Sequence, residues 1–461
     1  EMNEEIRAAR EECLRLMRIW HDCERRLSYV DSHYNWSLKN GHEPDAFLVG
    51  AEQEKRDISR EKYIDSCHVL NDLERIELES RKKKEEEIAK MIEALDAPLD
   101  RPGWQRQFED LGFHFHSLDG VYWDESACYR FSSSEIDMIE EATWKMHELC
   151  IQAVDHIIRK KLFKPFALPD WFIEYVVDSW NADDPTLYGR FDFCYNGIDA
   201  PKLLEYNADT PTSLVEAAGV QWAWYEDTRL GRDQFNSIHD KLVATWKDFG
   251  DWIPQKSIAF TSADSVEDGF TLAYLQETAA QAGFATDSFP ISELGWNGKE
   301  FVSGNANVAV PVVFKLYPWE WMTREQFAQN LYRSKTVWIE PAWKMLLSNK
   351  AILPLLWDLF PDHPLLLEAR YEEPHETSGW VRKPMLGREG NNVTIYGTAE
   401  TDGEYGGPWI YQRNANLPDF SGNYPVVGSW IIGQEAAGMG IRESTTPITG
   451  NTSRFVPHVI E

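Results

Sequence analysis

The chain has 461 residues, 43% of them hydrophobic, and a formal net charge of −30. This length exceeds what one hydrophobic core usually holds, so two to four domains are expected. The negative charge disfavours binding to nucleic acid or to an anionic membrane surface, because both repel an acidic protein. No apolar run reaches the length of a membrane span, and the six cysteines contain no CxxC pair. We therefore predict a reduced, cytoplasmic protein with no nucleic-acid partner and no membrane span.

Two long helices are predicted before residue 97. Apolar residues recur at three- and four-residue steps over 3–30, and again from Glu52 to Leu95. Asn40-Gly41 and Pro44 separate the two patterns. Residues 1–97 are therefore predicted to form a helical hairpin or coiled coil, and we assign no chemistry to them. Such a segment is typical of a site for a protein partner or for homo-oligomer formation, and both alternatives stay open.

A linker containing proline and glycine follows at 98–103. In the aromatic segment after it, His114 and His116 alternate. We interpret them as strand residues rather than as a metal pair, because no third ligand stands nearby. An amphipathic helix is then predicted from Ser134 to Ile158, with Ser134 as its N-cap.

A predicted β-hairpin brings four polar residues to one end. In its first strand, alternation puts Arg190 and Asp192 on the same face. An Asn-Gly turn follows, and the second strand carries Glu205, with Asn207 just past its end. Two carboxylates and an amide oxygen are hard donors of the kind that Mg²⁺ takes when it also holds phosphates. An ordinary surface hairpin fits the pattern equally well, so the pattern alone leaves both interpretations open.

After the hairpin, predicted strands and helices alternate, which indicates an α/β fold. The predicted helices cover Ser213–Glu226, Glu267–Gly283 and Lys350–Phe360. The predicted strands cover Lys256–Thr261, Ala285–Phe289, Val308–Leu316, Trp409–Gln412 and Val426–Ile432. Pro311 cannot donate to a strand ladder, which disfavours the first few residues of the third of these strands.

Four cationic residues stand in positions that suit ATP chemistry. Lys350 and Lys383 lie at the ends of predicted elements, and a loop with two glycines follows the second; Arg190 and Arg442 lie in strand-like surroundings. ATP chemistry needs hard metal ligands, point charges on the phosphates, a closing loop and a guanidinium on the transferred phosphoryl group. No Walker motif or kinase motif set occurs. Each of these residues also has a plain interpretation as a solvated side chain or part of an ordinary turn.

Several long strings occur in a fixed order from about Pro102 to the C-terminus. They are LLEYNADTPTSL from Leu203, FKLYPWE from Phe314, EPAWKMLLSNKAILP from Glu340, KP from Lys383, GREG from Gly387, GIR from Gly440 and SRFVP from Ser453. In these strings the sequence resembles the glutathionylspermidine synthetase family of ATP-grasp ligases, especially the synthetase-only members that lack an amidase domain. The region that they span is roughly four-fifths of the chain.

The resemblance implies a fold and an activity. It implies a pre-ATP-grasp domain, which we place at 98–330, and an ATP-grasp nucleotide-binding part at 331–461. The activity expected is ATP-dependent conversion of a carboxylate into an acyl phosphate, which an amine attacks to give an amide, ADP and phosphate. The expected partners are ATP, a glutathione-like or other peptide acid and a polyamine-like amine, with Mg²⁺ as the cofactor.

The resemblance also implies roles for individual residues. Asp192, Glu205 and Asn207 are expected to hold Mg²⁺. Arg190 and Arg442 are expected to stabilise charge on the phosphoryl and acyl-phosphate groups. The expected ATP-binding residues are Lys350, Lys383, Glu389, Gly390, Gln412, Arg413, Asn414 and Ala415. The expected contacts with the acid substrate are Arg190, Thr210, Thr212, Glu267 and Asp268.

Two departures from the family pattern bear on specificity. Residues 1–97 stand where bifunctional members carry a cysteine amidase, so hydrolysis of the conjugate is not expected. Leu316 stands where glutathione-using members have a threonine, and Thr210 and Thr212 replace serines, which can change substrate choice. The acid substrate therefore stays open. An alternative function also stays open: a catalytically weak ATP-binding adaptor whose N-terminal helices recruit a partner.

Overall fold

The computed structural model describes residues 8–20, 23, 46–85, 93–96, 101–117, 120–253, 255–304, 308–420, 422–450 and 453–461. The chain divides into two compact units. One comprises 1–90 with 177–184, and the other comprises 91–176 with 185–461. In the described ranges, no helix has both the length and the apolar character needed to cross a membrane.

The first unit contains the two predicted helices, at 8–20 and Ala46–Glu85. Trp20 of the first helix stacks on Tyr63 of the second, with ring centroids 5.7 Å apart, and both rings are buried. Aromatic stacking therefore joins the two helices. The predicted break at 40–44 lies outside the described residues.

The predicted end of the second helix is wrong. Glu93–Asp96 is a strand, and it pairs antiparallel with Ala127–Phe131. The apolar residues before Leu95 fit a helical period, but the backbone ladder with a distant strand decides the conformation there.

A five-stranded antiparallel sheet, the central sheet, organises the second unit. Its strands in spatial order are Arg454–Val456, Glu435–Ser444, Tyr424–Ile432, Tyr188–Cys194 and Lys202–Asn207. The sheet thus combines strands from both sides of residue 330. The predicted boundary at that residue stays a prediction.

A second antiparallel sheet, the loop sheet, carries the glycine-containing loop. Its strands in spatial order are Ala369–Arg370, Trp409–Arg413, Trp380–Pro384, Thr394–Ile395 and Ala399–Glu400. Lys383 and Gln412 therefore lie on neighbouring strands, and the loop at 385–392 leaves the middle of the sheet.

A third sheet is parallel, which together with its crossover helix confirms the predicted α/β character. Its strands in spatial order are Val337–Ile339, Val312–Leu316, Ser257–Ser262 and Ala285–Pro290. The helix Val266–Gln281 connects the last two strands and packs on both. The strand predicted over 308–316 is two strands, Val308–Ala309 and Val312–Leu316, which belong to different sheets. Pro311 lies between them, as its missing N–H requires.

The other described elements after residue 90 are small sheets and helices, and residues 177–181 of the helix Asp170–Asn181 belong to the first unit. The small sheets are Glu93–Asp96, Ala127–Phe131 and His458–Ile460, and Leu294–Trp296, Phe301–Ser303 and Val308–Ala309. Helices after residue 100 are Trp104–Asp110, Ser133–Lys160, Lys164–Phe166, Asp170–Asn181, Glu216–Val220, Gln221–Thr228, Ile238–Asp248, Phe249–Asp251, Val266–Gln281, Ile291–Glu293, Trp319–Met322, Ala328–Arg333, Ala342–Lys344, Met345–Ser348 and Ile352–Leu359.

Two local predictions in this unit need correction. The N-cap of the long helix Ser133–Lys160 is Ser132, because Glu135 completes a capping box with it and Ser134 lies inside the helix. His114 and His116 are not in a strand. Residues 113–115 have no regular structure, and His116 lies 3.3 Å from a carboxylate oxygen of Glu109.

A single aromatic core links the parallel sheet to the central sheet. Trp246 contacts Phe260 and Phe314, with ring centroids 5.9 and 6.2 Å apart, and all three are fully buried. Tyr188 of the central sheet contacts Phe314 at 5.9 Å and stacks on Trp430 at 6.1 Å. Burial of such large side chains stabilises the folded chain by several kcal/mol, at roughly 25 cal/mol per Å². The strand that begins at Tyr188 is therefore held firmly from its first residue.

Candidate active site

The predicted hairpin is confirmed, together with the register that gathers its polar residues. Arg190 pairs with Asn207 across the two strands, and Asp192 pairs with Glu205. The Asn196 amide oxygen accepts two backbone N–H groups in the connecting turn. The ladder is irregular just after Asp192, and this β-bulge lies beside the polar residues.

The side chains of Asp192, Glu205 and Asn207 converge within hydrogen-bonding distance. The Asn207 amide nitrogen lies 3.4 Å from Asp192 Oδ2 and 3.2 Å from Glu205 Oε1. Rotation of this amide exchanges two nearly isosteric atoms and would present its oxygen instead. Oxygens around Mg²⁺ lie about 2.9 Å apart when the metal–oxygen distance is about 2.0–2.1 Å in octahedral geometry. The three side chains therefore suit a hard divalent cation.

Two arginines bond to the carboxylate of Asp192. Arg190 donates to Asp192 Oδ1 at 2.7 Å and to Oδ2 at 3.1 Å, and also to the backbone oxygen of Thr212. Arg442 donates to Asp192 Oδ2 at 3.1 Å. Gly428 makes room for the Arg190 side chain, since a Cβ there would lie 2.9 Å from Arg190 Cδ. The absence of a side chain at residue 428 thus leaves the space that the Arg190 side chain occupies.

Two lysines contact the other side of the cluster. Lys350 Nζ lies 2.9 Å from Glu205 Oε2, whereas Lys383 Nζ donates to Gln412 Oε1 at 2.7 Å and to the backbone oxygen of Leu204 at 3.1 Å. Burial acts to raise the pKa of Glu205, but the two ammonium groups outweigh it and hold the pKa well below its usual range. Burial lowers the pKa of Lys383 to about 8, although Glu205 opposes this shift.

These residues line one cleft, which encloses about 1160 Å³ including space open to solvent. The cleft brings together every predicted metal, ATP and acid-substrate residue except Glu267 and Asp268. The predicted residues on its wall are Arg190, Asp192, Glu205, Asn207, Thr210, Thr212, Lys350, Lys383, Glu389, Gly390, Gln412, Arg413, Asn414, Ala415 and Arg442. Apolar residues form another part of the wall, namely Leu204, Val381, Val393, Ile395, Leu417, Val426 and Ile448. A cleft with an apolar wall and clustered cations can hold a base and its phosphates.

The loop after Lys383 depends on a glycine. Gly390 has φ 67°, and a Cβ there would lie 2.5 Å from the backbone oxygen of Thr449. Its own backbone oxygen accepts the hydroxyl of Thr401 at 2.5 Å. The preceding Glu389 also has a positive φ, 53°. The loop is therefore held in a specific, strained conformation over the cleft.

Arg388 is a cleft residue to which the sequence reasoning assigned no role. It donates to Thr210 Oγ1 at 2.7 Å and to Glu320 Oε1 at 2.7 Å. Glu320 follows Trp319, whose backbone N–H bonds to the carboxylate of Asp209 at 2.8 Å. Arg388 lies inside the GREG string. An arginine between two glycines was therefore the signal that the sequence offered for this residue.

A buried ion pair fixes this corner of the cleft. Asp209 Oδ1 lies 2.5 Å from Lys315 Nζ, and both side chains are fully buried. Lys315 also lies 4.6 Å from the centre of the Trp319 ring. Leu316, which follows Lys315 in the chain, is 3% exposed and belongs to the apolar core. It does not line the cleft.

Glu216, Glu267 and Asp268 form a second group of carboxylates. The charges of Glu216 and Glu267 interact with that of Arg442 on the cleft wall. Tyr122 donates its hydroxyl to Glu216 Oε1 at 2.6 Å, and the hydroxyl of Ser213 lies 3.4 Å from that of Tyr122. Ser213 has φ 65°, and Glu216 opens a π-helical turn within the predicted helix. Strained backbone and π-turns are frequent at functional sites. Sequence reasoning assigned no role to Tyr122 or Glu216, because only tertiary structure brings Tyr122 to Ser213 and Glu216.

Glu267 and Asp268 belong to this second group. They occupy the first turn of Val266–Gln281. Burial, and then the charges of Glu216 and Asp268, raise the pKa of Glu267 to about 7. The charge of Arg442, on the cleft wall, opposes this shift. A carboxylate that titrates near neutral pH can accept a proton from an ammonium group.

Comparison with known proteins points to one family. The family model described as glutathionylspermidine synthase preATP-grasp matches residues 97–461. A Haemophilus influenzae protein with the provisional name acid–amine ligase is 39% identical over 382 residues, which are 78% of this chain and 97% of that protein.

Two longer proteins are also similar. The trypanothione synthetase of Crithidia fasciculata is 30% identical over 68% of this chain and 53% of its own length. The bifunctional glutathionylspermidine synthetase/amidase of Escherichia coli is 26% identical over 72% of this chain and 59% of its own length. This chain therefore matches only a little more than half of either protein.

Proposed function

The chain belongs to the glutathionylspermidine synthase family, and from that premise we propose that it is an ATP-dependent ligase that joins a carboxylic acid to an amine. The acid is peptide-like, the amine is polyamine-like, and the products are an amide, ADP and phosphate. One observation carries the proposal: three oxygen ligands, two lysines and two arginines converge in one cleft with an apolar wall.

ATP and its metal occupy the side of the cleft that the hairpin provides. Asp192, Glu205 and Asn207 would hold Mg²⁺, which would supply Lewis-acid stabilisation of the phosphate charge. Lys350 and Lys383 contact the phosphates as point charges. The loop at 387–392 covers them, and the apolar wall with Gln412, Arg413, Asn414 and Ala415 holds the adenine base.

The acid reacts beside the two arginines. Its carboxylate oxygen attacks the γ-phosphorus, the bond from that phosphorus to the ADP oxygen breaks, and ADP leaves. Arg190 and Arg442 stabilise the negative charge on the transferred phosphoryl group. Thr210 and Thr212 contact the acid, and Arg388 orients the hydroxyl of Thr210.

The amine reacts on the side of the second carboxylate group. Glu216, Glu267 and Asp268 attract a cationic amine and repel an anionic acid, so we assign Glu267 and Asp268 to the amine. The amine nitrogen attacks the carbonyl carbon of the acyl phosphate, the carbon–oxygen bond breaks, and phosphate leaves. The proton that the nitrogen loses passes to Glu267, whose pKa of about 7 suits this role.

The proposal is tested by ADP release over a panel of peptide acids and polyamines. We expect release that requires both an acid and an amine, with an amide product of the summed mass less water. If ATP binds but no acid–amine pair stimulates ADP release, the adaptor function becomes the better interpretation. The separate N-terminal unit favours that second candidate, because it adds helices to the ligase region without adding chemistry.

A further inference from the structure

Two cations of the cleft are bonded to oxygens that the proposed function assigns to a metal ion. Lys350 Nζ lies 2.9 Å from Glu205 Oε2, and Arg442 Nη2 lies 3.1 Å from Asp192 Oδ2. A metal ion that binds these carboxylates therefore meets oxygens that already have a cationic partner.

We propose that metal and nucleotide bind cooperatively through an exchange of ionic partners. The metal displaces Lys350 from Glu205 and Arg442 from Asp192, and the two released cations then bind the phosphates. This inference rests on the proposed function for the identity of the two ligands. It adds that neither ligand binds well without the other.

The hydrogen bonds of the two carboxylates support this exchange. Glu205 uses one oxygen for Lys350 and the other for the Asn207 amide. Both oxygens of Asp192 accept N–H groups of Arg190, and Oδ2 also accepts from Arg442. The Asn207 amide nitrogen also lies 3.4 Å from Asp192 Oδ2, so three donors surround this oxygen, and a metal ion that binds it must displace one of them. At Glu205 Oε2 a metal ion must lie beside the ammonium group of Lys350, which repels it.

The net charge of the cations and carboxylates in the cleft also supports cooperative binding of metal and nucleotide. Arg190, Arg442, Lys350 and Lys383 are four cations set against the two carboxylates, which leaves a net charge of about +2. A divalent metal alone adds to this positive charge, so its binding is opposed. The metal–ATP complex carries a charge of about −2 and neutralises the cluster.

Lys383 provides a matched control for Lys350. Both ammonium groups lower the pKa of Glu205, but Lys383 donates only to neutral partners in the structure, Gln412 and the backbone of Leu204. Replacing either lysine with methionine removes one positive charge and keeps a similar side-chain volume. Only Lys350→Met frees a carboxylate oxygen.

The experiment measures Mn²⁺ binding to the full chain in the absence of nucleotide, by electron paramagnetic resonance of the free ion. We expect Lys350→Met to bind Mn²⁺ about fivefold more tightly than wild type. Lys383→Met removes the same positive charge but frees no carboxylate oxygen, so it should tighten Mn²⁺ binding less, by about twofold at most. Both variants should bind ATP more weakly in the presence of Mn²⁺, as calorimetry would measure. Unchanged or weaker Mn²⁺ binding by Lys350→Met overturns the exchange.

A second variant tests the exchange in case Lys350→Met does not fold. A separate measurement of ATP binding by wild type distinguishes failure of the exchange from failure of the proposed function. Arg442→Gln removes one cationic donor from Asp192 Oδ2, where Arg190 and Asn207 remain, and should also tighten Mn²⁺ binding. Circular dichroism checks that each variant is folded. If neither folded variant gains Mn²⁺ affinity, the exchange is wrong even when wild type binds metal–ATP. If wild type binds no ATP with or without metal, the proposed function fails by itself.

Discussion

The two carboxylate groups of the ligase region differ in their neighbours, and that difference separates their chemistry. Glu205 faces two ammonium groups, which hold its pKa well below the usual range in spite of burial. Glu267 is also buried, but its neighbours Glu216 and Asp268 are carboxylates, and its pKa rises to about 7. In the proposed function, the same side chain therefore serves as an ionised metal ligand in one group and as a proton acceptor in the other.

The largest expected effect comes from the ionised group. Asp192→Ala removes a metal ligand and leaves Arg190 and Arg442 without their shared carboxylate. We expect turnover to fall by at least about 10³-fold, because metal and arginine stabilisation are lost together. Metal-dependent ATP binding, measured by calorimetry, should weaken in parallel. Wild-type turnover by this variant would remove Asp192 from the metal site.

The proton-accepting group should respond differently. Glu267→Gln removes the proposed base and keeps the shape of the side chain, so amine-dependent turnover should fall by about 10²-fold. ATP binding should stay at the wild-type level, since Glu267 does not line the cleft. Equal losses of ATP binding and turnover would show that the two groups are one site.

The pH dependence separates the two groups further. Glu267 has a raised pKa of about 7, so its proton-accepting form increases as the pH rises through that value. Turnover at saturating substrates should therefore increase about tenfold from pH 6 to pH 8. The Glu267→Gln variant should lack this part of the profile, which controls for ionisation of the amine itself. A wild-type profile unchanged by the substitution would contradict the role of Glu267.

The smallest effect is on stability, and its sign should differ between the two glutamates. Glu205→Gln leaves the charges of Lys350 and Lys383 unopposed, so the free energy of unfolding should fall by about 1 kcal/mol. Glu267→Gln relieves repulsion from Glu216 and Asp268 and should raise it by a similar amount, about 1 kcal/mol. Denaturant unfolding at pH 8 would measure both changes. Two changes of the same sign would mean that burial, not neighbouring charge, controls these residues.

Sequence patterns were sufficient to place the residues of the first group together, but not to assign their role, which came from the family resemblance. Asp192, Glu205 and Asn207 belong to one hairpin, whose alternation and Asn-Gly turn fix a local register. Lys350 and Lys383 stood out as lone lysines at the ends of predicted elements, but the pattern fitted solvated side chains as well, and their ATP-binding role came from the family resemblance. What the pattern left open was the partner of each lysine, which depends on packing between two sheets.

The second group depends on contacts that no local pattern records. Tyr122 reaches Glu216 across 94 residues. The raised pKa of Glu267 arises from burial and from like charges on other segments. Sequence reasoning located Glu267 through family resemblance alone, and it assigned the residue to the acid rather than to the amine.

Product analysis tests the central claim most directly. The full chain is incubated with ATP, Mg²⁺, a peptide acid labelled with ¹⁸O in its reacting carboxylate, and a polyamine. The account predicts an amide detectable by mass spectrometry and the transfer of one ¹⁸O atom to the released phosphate, because the carboxylate oxygen attacks the γ-phosphorus. An amide formed without ¹⁸O in the phosphate would contradict the acyl-phosphate route, and the absence of any amide across the panel would contradict the ligase function.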